Sequence, residues 1–180
     1  MATPDKKQAI LQTTLKLISS QGFHATPMSA IAKDAGVAAG TIYLYFENKD
    51  ALIVSLYQDV QERLAQKIIL PNRSNSYKAD LSLLWHNILD FYRSQPEEFK
   101  FLQQYAFSPF LAVENEETQM EKRFAWTLQF IAEGIHCGLL KPLPNLWVLE
   151  WLLSAAALAT KLKVENAQNF FTQVWEALRA

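Results

Sequence analysis

The chain contains a single cysteine, Cys137, among 180 residues. An intrachain disulfide is therefore impossible, and a thiol-rich metal site is excluded. Net charge is almost absent: 17 Lys and Arg against 18 Asp and Glu leave −1. No global field attracts a polyanion, so any nucleic-acid contact must come from a local patch. A signal peptide is not apparent, because "MATPDKKQAILQTTLKLI" turns amphipathic at once. The most apolar run, Leu146 to Thr160, is interrupted by Glu150 and is too short to span a bilayer comfortably. A soluble, cytoplasmic protein with no membrane partner is expected. Gly-x-Ser-x-Gly, a phosphate-cradling glycine loop and His-Glu-x-x-His are all missing. His86 and Asp90 share a helical face, but two side chains make a poor metal site, and a surface pair is the plainer reading. No catalytic residue, metal or cofactor is expected.

Half of the residues are hydrophobic and only five are glycine, the composition of an ordered globular chain. Strand-type alternation is lacking, as are internal repeats and low-complexity tracts. The apolar spacing predicts an all-α fold of about nine helices. Thr3-Pro4 opens the first, whose inner stripe is Ile10, Leu11, Thr14, Leu17 and Ile18, and Gly22 closes it. Thr26-Pro27 repeats the start signal, Gly36 ends a short second helix, and a third runs to about Phe46. Asn48 caps a longer fourth helix carrying Leu52, Leu56, Val60 and Leu64. A fifth covers about Tyr77 to Gln95, and Pro96 starts a sixth. Pro109 and "ENEET" bracket a linker that opens the seventh, which ends near Gly138. Two more cover about Leu146–Lys163 and Asn166–Arg179. Three short helices that cannot bury enough area separately form a module over residues 1–47, followed by a larger helical domain over 48–180.

Two short helices joined by a tight glycine turn read as a helix-turn-helix. Ile31, Ala32, Ala35 and Val37 pack inward with Ile42 and Phe46. Ala38, Ala39, Thr41, Leu44 and Tyr45 then lie on or near the outer side of the second of these helices, the one that enters a major groove in DNA-binding versions. Successive helical positions diverge by about 100°, so Tyr43 and Tyr45 cannot both face the way Phe46 faces, and at least one phenol must be exposed. Thr26, the amides at the start of the preceding helix, Tyr43 and Lys49 can meet phosphates, with His24 and Lys33 on the flanks.

Residues 22–52, "GFHATPMSAIAKDAGVAAGTIYLYFENKDAL", resemble the DNA-binding segment of the tetracycline-repressor (TetR) family. The match lies in Gly-Phe, the threonine, Ile-Ala-x-x-Ala-Gly-Val, Gly-Thr-hydrophobic-Tyr-x-Tyr-Phe, and the following lysine and leucine. The resemblance implies a homodimeric transcriptional regulator on a palindromic double-stranded DNA operator, usually a repressor released by a small molecule. It puts backbone contacts at Thr26, Thr41, Tyr43 and Lys49, with Tyr45 close to backbone or bases. Ala39, Gly40 and Leu44 fall where other members approach base edges. Two departures stand out. Ala38 replaces the usual polar cap, and Met28 occupies a position that is often polar or basic. Because Arg, Asn and Gln are all missing between Ala38 and Phe46, readout by thymine-methyl packing, the Tyr45 hydroxyl and DNA shape is expected.

The larger domain is rich in rings, most of them expected to be core. The resemblance implies an effector pocket surrounded by the chain's fourth to seventh helices, and the many rings lead to the expectation of an apolar or aromatic ligand. Candidate contacts are Trp85, His86, Tyr92, Tyr105, Phe124 and Phe130. The last two helices read as an interface: Trp147, Trp151, Ala155, Leu158 and Leu162 make one stripe, and Phe170, Phe171, Val174, Trp175 and Leu178 another. In the family, two such helices from each subunit form a four-helix bundle. The fourth helix would carry the signal between effector and DNA. The competing reading is an all-helical binder of lipophilic ligands without DNA, which explains the rings but not "YLYFENKDAL".

Overall fold

A computed structural model of the chain describes residues 6–108, 116–163 and 167–180. The predicted Thr3–Pro4 start, the Pro109 break, Phe110 and the Asn166 helix start lie outside them. Ten helices are seen: α1 (Lys6–Gln21), α2 (Met28–Asp34), α3 (Ala39–Tyr43), α4 (Lys49–Ile68), α5 (Tyr77–Ser94), α6 (Pro96–Ala106), α7 (Glu116–Arg123), α8 (Ala125–His136), α9 (Asn145–Lys161) and α10 (Ala167–Leu178). The fold is all-α; among the described residues the sole β feature is an isolated antiparallel bridge between Leu140 and Arg179. The tenth helix arises because the predicted seventh is broken at Phe124, whose backbone (φ −97°, ψ 20°) leaves the helical region while its ring stays buried. Among the described residues, no helix is long and apolar enough to cross a membrane.

The chain forms two compact units. The first comprises Met1–Gln61 and Pro96–Glu114, so it takes in more than the 1–47 module, adding most of α4 and α6. Its centre is Ile10, Leu11, Thr14, Leu15 and Ile18 of α1, Ile31 and Ala32 of α2, and Leu52, Ile53 and Leu56 of α4. Leu15 is buried and Leu17 only half-buried, which shifts the inner stripe of α1 from the expected one. α6 packs on α1. The Phe101 ring meets Phe23 edge-on at 6.1 Å, and Tyr105 stacks on Tyr57 with centroids 3.8 Å apart. As expected, Asn48 begins α4: its Oδ1 accepts from the Ala51 amide at 2.8 Å, an N-cap worth about 1 kcal/mol.

The second unit, Glu62–Gln95 and Asn115–Ala180, is built on α5 and α9, which pack against one another and against α10, while α8 lies on α9. The fully buried rings Trp85, Phe124, Phe130 and Phe171 fill it. Arg73, before α5, ties this helix to α8 by pairing with Asp80 at 3.3 Å and with Glu133. Burial alone would raise the Asp80 pKa, but hydrogen bonds from Ser74 and Arg73 outweigh it and hold the carboxyl below its ordinary range. The Tyr77 ring stacks on Phe130 at 4.5 Å and lies where a Cβ on Gly134 would stand, so this close contact requires glycine. The turn after α8 is clipped to the end of α10 by Lys141 N donating to Leu178 O at 2.8 Å.

Burial pushes the phenols of Tyr77 and Tyr92 well above the usual tyrosine range, Tyr92 with help from the Glu150 carboxylate. A phenol in the unfolded chain ionises near pH ~10. Above that value the unfolded state releases a proton that the folded state keeps, so this stabilisation is complete below pH ~10 and is lost as pH rises. For a fully buried phenol the loss approaches about 1.4 kcal/mol per pH unit. Urea midpoints should therefore fall between pH 9.5 and 11, and Tyr92→Phe should decline less steeply than wild type.

Candidate nucleic-acid interface

The turn between α2 and α3 follows from its glycine. Gly36 sits at φ +67°, a region that suits a residue without Cβ, and Val37 N donates to Ala32 O at 3.0 Å to close the corner. α3 then starts at Ala39 with Ala38 as its N-cap, extended and without a side-chain hydrogen bond. What holds this short helix is its inner side, Ile42 at 0% exposure and Phe46 at 4%. These two residues are one turn apart and so share a face. The three residues between them must turn away. Tyr43, Leu44 and Tyr45 are 56%, 82% and 42% exposed, so both phenols, rather than one, face outward. Ala38, Ala39 and Gly40 are exposed beside them, and Thr41 is half-buried.

The flanks differ from the sequence expectation at Thr26. Thr26 neither caps α2 nor reaches the surface. It is fully buried, and its hydroxyl donates to Gly22 O at 2.9 Å, while Pro27 takes the N-cap position. Its hydrogen-bonding capacity is used to close the α1–α2 turn, so it offers no group to a phosphate. Gln21 completes this closure, donating to Ala25 O at 2.8 Å, a role that no motif position signals. Lys49 is half-buried and its ammonium donates to Phe23 O. An ammonium has three donors, so this bond positions the charge without consuming it. Met28 is half-buried, whereas His24 and Lys33 are exposed.

The residues named for an effector fall in both units. Trp85, Tyr92, Phe124 and Phe130 are core of the second unit; Tyr105 belongs to the first. His86 is half-buried, with Nδ1 2.7 Å from Ser82 O. Asp90, its expected partner, pairs instead with Lys67 at 2.8 Å. The Trp85 ring lies parallel to Phe170 at 5.8 Å, and its indole N–H is buried without a hydrogen-bond acceptor. Such a group costs roughly 1–3 kcal/mol. A cavity of about 350 Å³ runs between α9 and α10, lined by Trp151, Ser154, Ala155, Leu158, Phe170, Gln173 and Val174.

The two expected interface stripes behave differently. Along α9, Trp147, Trp151, Leu158 and Leu162 are 68%, 40%, 49% and 63% exposed. Their successive spacings of about one turn or two keep them on one side of the helix. On α10, by contrast, Phe171, Val174 and Leu178 are buried in the chain's own core. The more hydrophobic face of that helix is needed to cover α5 and α9. Trp175 is half-buried, with the Lys78 ammonium 5.4 Å above its ring.

A glycine-cornered helix pair with an outward-facing second helix defines a helix-turn-helix protein. Residues 10–56 match the model of bacterial regulatory proteins, tetR family, and residues 77–178 match the tetracyclin repressor-like C-terminal domain. The chain belongs to the tetR family of transcriptional regulators. It is 30% identical to the HTH-type transcriptional regulator YhgD of Bacillus subtilis over 77% of this chain and 73% of that one. An HTH-type transcriptional regulator of Haemophilus influenzae is 28% identical over 99% of this chain and 98% of its own. Among solved structures, a tetR family regulator from Shewanella sp. PV-4 superposes with a TM-score of 0.85 at 28% identity, covering 98% of this chain and 99% of that one.

The burial pattern assigns opposite roles to neighbours on α3. Ile42→Ala should lower unfolding free energy by about 2–5 kcal/mol, since it opens a cavity beneath the helix. Leu44→Ala should change it by no more than about 0.5 kcal/mol. Urea denaturation of both variants measures the contrast, and equal losses would contradict it.

Proposed function

We propose that this regulator is a homodimeric repressor that binds a palindromic operator through α3 and releases it on binding a small apolar or aromatic effector. The observation that carries the DNA reading is the run Tyr43–Leu44–Tyr45, exposed opposite the buried pair Ile42 and Phe46. A short helix that turns three large side chains to solvent is matched to an external surface. Tyr43, Thr41 and Lys49 supply donors for the phosphate backbone, and Ala39, Gly40, Leu44 and Tyr45 face the groove. Such a protein acts where the genome is, in the cytoplasm.

The dimer reading rests on the exposed stripe of α9 and the groove beside α10. A two-fold contact places one patch against itself, and a stripe of Trp, Ala and Leu is self-complementary. The groove between Trp151, Ala155 and Leu158 on one side and Phe170 on the other gives the partner's side chains a seat. Two recognition helices then meet two half-sites, which lets each module bind weakly by itself.

For the effector, the aromatic interior of the second unit is the favoured place. The Trp85 indole N–H offers one unmet donor to a ligand acceptor, with Tyr92, Phe124 and Phe130 forming apolar surroundings. His86, half-buried on α5, completes the candidates of that unit, while Tyr105 lies in the first. α4, one continuous helix shared by both units, is the natural carrier of the signal. Strong release requires the effector to favour one arrangement of that helix by several kcal/mol, on the order of 5 for a near-complete switch.

Leu158→Glu tests the dimer and the DNA reading together. The side chain is half exposed, so the fold should survive. Sedimentation should show a monomer, and affinity for a duplex selected by the wild type should fall by about two orders of magnitude or more. Wild-type affinity for that duplex should also fall steeply with added salt. A lipophilic-ligand binder without DNA would retain no duplex at any salt concentration.

A further inference from the structure

The outer side of α3 lacks the side chains that read polar base edges. Guanine is recognised by the donors of Arg or Lys, adenine by the donor–acceptor pair of Asn or Gln. Between Ala38 and Phe46 the exposed side chains are those of Ala38, Ala39, Leu44 and two phenols. The base feature that an apolar side chain can read in the major groove is the thymine C5-methyl group. Leu44 is placed to do so: it is 82% exposed and stands about 200° around the helix from the buried Ile42.

Gly40 makes an independent point. It lies one turn before Leu44, on the same face. Its φ is not positive, and a Cβ built on it meets nothing within 4 Å. Neither the backbone nor internal packing therefore requires glycine, although glycine within a helix costs about 0.5–1 kcal/mol relative to alanine. The missing side chain makes sense as outside clearance, a flat spot where the helix backbone comes close to another surface.

We propose that Leu44 is the specificity-determining residue of this protein, reading thymine C5-methyl groups, and that Gly40 is the clearance that lets α3 seat deeply enough for Leu44 to reach them. This inference rests on the DNA-binding reading above and names what that site reads. Recognition then depends on a methyl group rather than on hydrogen bonds to base edges, with the Tyr43 phenol left to fix the helix on the backbone.

The test is a cycle between protein and DNA. Duplexes are selected from a random pool with the wild-type protein, and each fixed thymine is replaced by deoxyuridine, which lacks only the methyl group. Wild type should lose roughly fourfold in affinity for each contacted methyl removed. Leu44→Ala should bind the thymine and deoxyuridine duplexes alike. Gly40→Ala should keep or raise the thermal midpoint while binding the selected duplex at least about tenfold more weakly. Equal wild-type affinity for both duplexes, or a selected half-site without a fixed thymine, overturns the methyl readout and leaves DNA binding intact. Discrimination that persists in Leu44→Ala removes that residue from the role. Gly40→Ala binding as wild type overturns the clearance. If the wild type selects no duplex, the DNA-binding reading falls and this inference falls with it.

Discussion

The inward anchoring of Ile42 and Phe46 is the constraint on which the exposed face of α3 depends. α3 is five residues long and has no side-chain cap, so it cannot hold its shape alone. Two buried side chains one turn apart fix both its position and its rotation. Once the rotation is fixed, helix geometry places Leu44 on the far side with a phenol on each flank. The residues available to a partner are thus set by the residues that serve the core. Any change that rolls the helix about its axis would replace the exposed face entirely.

The same logic of faces explains the second unit, with a different result. α10 is strongly amphipathic, and its apolar side closes over Trp85 and α9. α9 is apolar on both sides: Leu149, Leu152, Leu153 and Ala156 point inward, while Trp147, Trp151, Leu158 and Leu162 remain outside. A helix with a second apolar stripe that its own chain leaves uncovered is suited to a second covering layer. Polar organisation is concentrated elsewhere, in Arg73 with Asp80 and Glu133, where it secures the entry to α5.

Much of this could be read from the residues. Gly36 marked the corner, Asn48 the cap, and the 100° phase of Ile42 and Phe46 the outward turn of at least one phenol. The departures have physical causes. Thr26-Pro27 looks like a helix start because threonine caps well, yet its hydroxyl found Gly22 O across the preceding turn. The break at Phe124 has no glycine or proline to announce it, and the apolar phase runs on through it. The stripes of α9 and α10 look equivalent in sequence, since periodicity identifies an apolar face without saying whether the chain's own core covers it. For the effector residues, burial was legible, but the division that leaves Tyr105 in the first unit and the others in the second was not.

The account's central claim is that the surface around Leu44 enters a major groove and does so twice, by symmetry. Footprinting on a selected duplex with a reagent that modifies guanine N7 in the major groove tests it most directly. Two protected patches related by a two-fold axis, with centres one helical turn (about 10 base pairs) or a multiple apart, are expected. A single patch, or no protection at saturating protein, would contradict it.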